Sequence, residues 1–270
     1  MIYLNYIIYY VNMLKEINKH DRDVRIIFEE GNHQYFVDGD PNYISVTTLI
    51  KEFFPKFDSD LIIQKMQASN NWKNSIYYGM TVDEIKQQWK DKAEKAARLG
   101  TLLHNTIEDF YNGKDPVPDE LIKDGFQQFL EFHDKIKNTT SLVPYRTEWC
   151  VFHEDYRIAG SIDMIFKDPE TNELHIYDWK RTPNLKKTNR FQNAFDPISY
   201  LEDCKYIHYS LQLNIYKFIL ESKYDQKVKN LTLVVFHPDN ETFFEETVDD
   251  YQEEVKKILQ RGFEQKLYVK

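Results

Sequence analysis

Residues 160–180 read GSIDMIFKDPETNELHIYDWK, two strand-like runs joined by a polar turn. Asp163 lies in the first run and Asp178 in the second, fifteen positions apart. Side chains alternate between the two faces of a strand, so Asp178 and Lys180 project from the same face. If the two runs pair, Asp163 lies beside Asp178. Two carboxylates and one ammonium at the end of a sheet are the groups that metal-assisted hydrolysis of a phosphodiester needs.

The pattern on either side predicts a helix, three antiparallel strands, a helix, a strand and a last helix. A long helical pattern starts at Thr81, with Gly100 as a possible break, and Asp119 is predicted to cap a further helix to about Lys137. A stretch without regular structure is predicted for residues 181–206, and long loops are usually functional. The predicted strands are 143–153, 157–166, 174–180 and 231–236, and the last two helices are 209–222 and 248–265.

The first 90 residues contain no chemical motif and are predicted to form an extension with a hairpin and helices. The hairpin covers residues 25–37 and turns at Gly31-Asn32. Ser45 is predicted to begin a short helix over 46–54, and Asp60 to cap another over 61–69. Residues 1–14 are too short and too polar to span a membrane, and an amphipathic helix that packs on the body is expected there.

Length and composition indicate a globular chain, with one domain over residues 1–270 and a catalytic core at 95–240. Of the 270 residues, 41% are hydrophobic and 15% aromatic. The net charge of −9 argues against non-specific binding to nucleic acid but allows a local basic strip. Cys150 and Cys204 are the two cysteines, too few for a four-cysteine zinc or iron–sulfur site, and they favour an intracellular setting.

Two further residues could join the acid pair. His104 lies in a helical pattern with Glu108 one turn later, and a neutral imidazole can bind Mn²⁺ beside carboxylates. Glu148 lies on the strand before Asp163 and could bind a second metal directly or through water. Taken alone, such a histidine is more often a packed structural residue and such a glutamate a surface acid.

Three features could contact nucleic acid. Gln212 and Tyr216 are four residues apart and share a helix face, which could touch a phosphate or a base. The segment from Lys180 to Arg190 has five basic residues and no acidic one. Aromatic rings accompany this strip, and unpaired bases stack on such rings, although core packing is their commoner use. The strip includes Arg181, Lys186 and Lys187, and the rings are Phe191, Phe195, Tyr200 and Tyr206.

Together these residues resemble the PD-(D/E)XK nuclease superfamily in its RecB-like exonuclease branch. The residues around Asp178-Trp179-Lys180 and around Gln212 with Tyr216 are also similar to those in nucleases of large DNA viruses and phages. The matches occur in family order over about residues 95–220. In that order they are Gly100-Thr101 with His104, Glu148, Gly160-Ser161-Ile162-Asp163, Asp178-Trp179-Lys180, and Gln212 with Tyr216.

The resemblance implies an α/β fold with a restriction-endonuclease-like core, in which helices flank a mixed central sheet. It also implies Mg²⁺ or Mn²⁺ as cofactor and DNA as substrate. His104, Asp163, Asp178 and the main-chain carbonyl of Trp179 would hold the metal. Lys180 would position water, Glu148 would support the site, and Gln212 and Tyr216 would contact the nucleic acid.

Two departures from the family pattern stand out. Several relatives carry four cysteines around an iron–sulfur cluster, which this chain cannot do, so no such cluster is expected. Many relatives have a small hydroxyl residue directly after the motif lysine, where this chain has Arg181 and then Thr182. If that hydroxyl meets a phosphate, Arg181 or Thr182 must replace it.

The expected function is a divalent-metal-dependent deoxyribonuclease, an exonuclease acting on single strands or DNA ends in replication, recombination or repair. A structure-specific or RNA-directed nuclease has the same motifs. A catalytically silent nucleic-acid-binding protein would lack an acid or the lysine, and neither is missing. An α/β structural protein with a chance ion pair is the last alternative.

Overall fold

The computed structural model describes residues 13–269, and the predicted helix at the extreme start of the chain lies almost wholly outside them. Strands follow the chain as β1 (Ile26–Glu29), β2 (Gln34–Val37), β3 (Ile44–Ser45), β4 (Val143–His153), β5 (Ile158–Lys167), β6 (Leu174–Lys180), β7 (Val228–Val235) and β8 (Phe244–Thr247). Helices are α1 (Leu14–Ile17), α2 (Val46–Lys51), α3 (Ser59–Gln67), α4 (Val82–Tyr111), α5 (Lys123–Thr139), α6 (Lys205–Lys223) and α7 (Gln252–Glu264).

A mixed central sheet forms the body, and helices flank it, as predicted. Strands β4, β5 and β6 are consecutive and antiparallel, β6 and β7 are parallel, and β8 closes the far edge antiparallel to β7. The parallel step is possible because α6 carries the chain back across the sheet between β6 and β7. Strands β1 and β2 form the predicted hairpin as a separate pair.

The two strands that neighbour β5 along one edge separate from each other, so the sheet forks there and leaves room for a site. The full length of β5 pairs with β4. Its other edge pairs with β3 only at Ile158 and Ala159 and with β6 only from Met164 onwards. The stretch from Gly160 to Asp163 therefore faces a gap between two neighbouring strands.

Apolar side chains cover both faces of the sheet, because strand residues alternate between them. Ile165 and Ile176 belong to the core beneath α6, α7 and the hairpin. Met164 and Trp179 belong to the second core, beneath α4 and α5. Asp163 lies two residues before Ile165, and Asp178 lies two residues after Ile176, so both acids project from the same face as these isoleucines. The two acids therefore interrupt an apolar row on the face that α6 covers.

Several predicted boundaries were wrong. Asp58, not Asp60, caps α3, through a 3.0 Å hydrogen bond from Leu61 N–H. Asp119 accepts from Leu121 N–H in a turn before α5, so it does not cap that helix. Gly100 lies inside one continuous 30-residue helix, α4.

Other elements match the sequence more closely or were missed. Helix α2 is shorter than predicted, and the short strands β3 and β8 were not predicted. The irregular run after β6 is present, and it ends where α6 begins. Among the described residues, none of the helices combines the length and the apolar character needed to cross a membrane.

Candidate active site

Glu148 and Asp163 face each other across the β4–β5 pair. Their neighbours Thr147 and Met164 are partners on one side, and Trp149 and Ile162 on the other. Glu148 has φ +43°, a left-handed backbone that costs a non-glycine residue about 1–3 kcal/mol. Ladder pairs continue on both sides of Glu148, so the left-handed backbone is confined to the position opposite the second acid.

Both carboxylates are fixed by hydrogen bonds from the sheet. The Ser161 hydroxyl donates to Glu148 Oε2 at 2.8 Å, and the Trp179 N–H donates to Asp163 Oδ2 at 2.8 Å. The β5–β6 pairing stops before Trp179, so the Trp179 N–H on β6 donates to the Asp163 carboxylate instead of to a backbone carbonyl. This hydrogen bond orients Asp163.

His104 extends from α4 to the same point. Its Nε2 lies 2.9 Å from the Trp179 carbonyl, which can only accept, so Nε2 carries the hydrogen. The other nitrogen, Nδ1, lies 3.5 Å from Asp163 Oδ2. Among the described residues, His104, Glu148 and Asp163 each offer one ligand atom within 4.8 Å of the other two.

Asp178 lies next to this trio but pairs with Lys180. Lys180 Nζ lies 2.5 Å from Asp178 Oδ2, and the Asp178 side chain is 2% exposed. The ammonium also lies 4.2 Å from the centre of the Tyr209 ring, a cation–π distance. The compact donor set thus contains Glu148 and does not include Asp178, whose predicted role as a metal ligand stays a prediction.

Burial and the charge of a neighbouring acid raise the pKa values of Glu148 and Asp178. Burial, followed by the charge of Asp163, raises the pKa of Glu148 to about 8. Burial also raises the pKa of Asp178 to about 6, with Lys180 opposing and Asp163 adding to the shift. Burial lowers the pKa of Lys180, but Asp178 and Asp163 outweigh it and the net shift is upward.

The donor chemistry fits a divalent cation. Glu148, Asp163 and Asp178 against Lys180 leave a formal charge of two negatives when all three acids are ionised. A dication matches that charge, and carboxylate oxygens with one imidazole suit Mg²⁺ or Mn²⁺. His104, Glu148 and Asp163 are the residues that could hold it, and Asp178 adjoins them.

Gln212 and Tyr216 point inward, behind the acids. Gln212 Nε2 lies 3.3 Å from Asp178 Oδ1 and 3.3 Å from the Tyr216 hydroxyl, and the residues are 8% and 3% exposed. The Tyr216 ring packs on Gly160, where a Cβ would lie 2.7 Å from the ring. Their geometry positions Asp178 and β5, while the predicted contact with nucleic acid stays a prediction.

The basic strip divides into residues with different partners. Thr182 is buried, donates to the Asn184 carbonyl at 2.9 Å and accepts from Lys205 Nζ at 3.1 Å. Lys187 pairs with Glu246 at 2.6 Å. Lys186 is exposed and lines a cleft, and Arg181 is half-buried, where burial lowers its pKa. Of the aromatic rings, Phe191, Phe195 and Tyr200 are exposed and Tyr206 is buried.

Sequence reasoning missed two tyrosines at the site. Tyr209 covers Lys180, and it shares a helix face with Gln212 and Tyr216, so extending that face by one turn would have found it. Tyr35 on β2 is buried, and the charges of Glu148 and Asp163 add to the burial that raises its pKa. No sequence signal connects Tyr35 to motifs more than a hundred residues away.

Comparison with protein families identifies one superfamily. A sequence model of the PD-(D/E)XK nuclease superfamily matches residues 76–267, well over half of the chain. No curated protein gives a significant match. One similar solved structure is titled "Crystal structure of SSO0001" and is 16% identical in sequence to this chain. The match covers 94% of this chain and 82% of the other, and its TM-score of 0.34 is too low to support a shared function.

Proposed function

The chain belongs to the PD-(D/E)XK nuclease superfamily, and from that premise we propose that it is a divalent-metal-dependent deoxyribonuclease. We assign it to the RecB-like branch, as an exonuclease acting on single-stranded or end-containing DNA in replication, recombination or repair. The observation that supports the activity is the convergence of His104, Glu148 and Asp163, with Asp178 and Lys180 beside them.

Each residue has a distinct role in this proposal. His104, Glu148 and Asp163 would hold the cation, with Asp178 and the Trp179 carbonyl beside them. A bound cation would supply charge neutralisation at the phosphodiester and activation of water. Lys180 orients the attacking water and offsets negative charge that develops on the phosphate. Gln212 and Tyr216 hold Asp178 in place, and nucleic acid meets the basic strip outside them.

The crowding of acids supports the need for a cation. A Glu148 pKa of about 8 means that the carboxyl holds a proton at neutral pH when nothing else compensates its neighbours. A dication that binds there replaces that proton, since ligand carboxylates bind in their ionised form. Binding also favours the folded state by mass action.

The first experiment is a time course on end-labelled linear single-stranded DNA with Mg²⁺ or Mn²⁺. A circular single strand, a duplex and the Asp178→Asn variant run beside it. Loss of the linear strand alone, abolished by EDTA and by Asp178→Asn, supports the exonuclease. Cutting of the circle identifies an endonuclease instead, and cleavage that survives Asp178→Asn overturns the assignment.

A binding measurement separates the metal site from the chemistry. Mn²⁺ should raise the melting temperature of the wild-type protein. It should raise the melting temperature of the Asp163→Asn variant much less, because this substitution removes one negative charge but keeps the shape of the side chain. Far-ultraviolet circular dichroism of both proteins checks that the substitution leaves the fold intact. Equal shifts in the two proteins would show that the cation binds elsewhere.

A further inference from the structure

A cleft of about 860 Å³ opens between the irregular segment after β6 and the chain before α3. Lys186, residues 188–191 and the start of α6 line the cleft, and Phe57 lines it from the chain before α3. Tyr209, whose ring lies over the Lys180 ammonium, also lines the cleft. The cleft therefore ends at the candidate active site.

Positive charge dominates the cleft, although the chain as a whole is negative. Lys186, Arg190 and Lys205 line it, and none of the three makes an ion pair with another residue in the range 13–269. The acid among the lining residues, Asp203, already has His208 as a partner at 2.8 Å. Cations along a groove that have no acidic partner can bind the phosphates of a nucleic-acid backbone.

Two phenylalanine rings in the cleft are turned to solvent. Phe191 is 97% exposed and Phe57 is 71% exposed. Phe57 contacts Trp89 on one side, at 5.8 Å between ring centres. A duplex hides the faces of its bases, so such rings are useful to a partner whose bases are unpaired.

We propose that this cleft binds a single-stranded nucleic-acid segment beside the scissile bond, with phosphates on Lys186, Arg190 and Lys205 and a base stacked on Phe191. Phe57 contacts the same segment from the chain before α3. Lys186, Arg190, Lys205 and Phe191 form the single-strand track. Lys205 connects this track to the candidate active site, because its Nζ also contacts Thr182, two residues after Lys180. The proposal rests on the proposed nuclease function and specifies its substrate as unpaired strand.

The test measures binding without cleavage, in the full-length Asp178→Asn protein with EDTA. The probe is a fluorescein-labelled oligothymidylate of about twelve nucleotides, with an oligouridylate and a blunt hairpin duplex as further probes. Phe191→Ala is expected to weaken binding of the single strand roughly 5- to 150-fold, the loss of one stacked base. Phe191→Trp should keep most of the affinity, and Phe191→Leu should not.

Controls separate stacking from general damage. Phe263 is also exposed, at 43%, but it lies on α7 and does not line the cleft, so Phe263→Ala should bind as the parent does. Lys186→Ala should reduce the salt slope of single-strand binding by about 0.7, the value for one phosphate. Because Phe191 is almost fully exposed, its substitution should leave the melting temperature unchanged.

The outcomes distinguish this proposal from the nuclease assignment. Binding by Phe191→Ala within twofold of the parent, or an equal loss for the hairpin duplex, overturns the single-strand track even if the wild-type protein cleaves DNA. Tight binding that depends on Phe191 in a protein that cleaves nothing supports the track and overturns the nuclease. A parent that binds neither single strand overturns the track directly, and a preference between an oligouridylate and the matching oligodeoxyuridylate, which differ only in the 2′-hydroxyl, assigns the sugar.

Discussion

Replacing Gly160 by alanine would place a methyl group against Tyr216. The new Cβ would lie 2.7 Å from ring atom Cε1 and 2.9 Å from the hydroxyl oxygen, closer than such contacts occur in proteins. The ring cannot step aside easily, because Tyr216 is 3% exposed and its hydroxyl lies 3.3 Å from Gln212 Nε2. Strain at Gly160 should therefore spread to the residue that holds Asp178.

The size of the effect follows from two opposing contributions. Overpacking a buried site costs about 1–3 kcal/mol. Alanine in a strand gains about 0.5–1 kcal/mol over glycine, because the unfolded chain loses less freedom. The expected net loss in the free energy of unfolding is about 1 kcal/mol, within limits of about 0 and 2.5 kcal/mol, which lowers the melting temperature by roughly 2–4 °C in a chain of this size.

Gly100 provides a matched control. A Cβ at Gly100 meets nothing within 4 Å, and the residue lies inside α4. Gly100→Ala should therefore stabilise the protein by about 0.5–1 kcal/mol, through backbone freedom alone. Urea unfolding of both variants gives the steric cost as the difference between two glycine-to-alanine changes.

A second substitution tests the assigned contact. If the Tyr216 ring causes the loss, Gly160→Ala should cost much less in a Tyr216→Leu background, so the two changes are not additive. Additive changes, or a Gly160→Ala protein as stable as Gly100→Ala, would refute the reasoning.

Two further predictions concern stability away from the site. Burial raises the pKa of Glu154, but hydrogen bonds and charge from Arg22 outweigh it and bring the pKa to about 2. Ionised Glu154 therefore stabilises the fold fully above its ordinary pKa of 4.5, and this contribution is lost as the pH falls towards 2. The unfolding free energies of the wild type and of Glu154→Gln should converge between about pH 4.5 and 2. A difference between the two free energies that stays constant with pH would contradict this. At the start of α3, Asp58→Ala should cost about 1 kcal/mol and Asp60→Ala less, since only Asp58 bonds Leu61 N–H, and equal losses in urea unfolding would argue against the cap.

The sheet and the acid pair were predictable because both follow from local rules. A period of two gives each strand its faces, and a short polar turn between β5 and β6 makes them antiparallel neighbours. Asp163 then falls one position beyond the Met164–Tyr177 pair, next to Asp178. No long-range information was needed to bring these two carboxylates together.

Helix starts and short strands were less predictable because several solutions are locally equivalent. Asp58 and Asp60 both precede the same apolar run, and the choice between them depends on where the preceding loop leaves the body. The two-residue strand β3 has no pattern of its own and exists because the end of β5 offers it a partner. Gly100 costs too little to break a helix that is anchored at both ends.

The inward direction of Gln212 could have been inferred from the composition of its helix. In the middle of α6, the apolar residues Leu211, Leu213 and Ile215 alternate with Gln212 and Asn214, so this part of the helix has few polar residues to turn to solvent. A polar side chain in such a helix needs a buried partner, because leaving it unpaired costs about 1–3 kcal/mol. Asn214 meets this need through the Asp249 carbonyl and the Tyr251 N–H. By the same logic Gln212 requires a buried acceptor, and the acid of β6 is the acceptor that the fold provides.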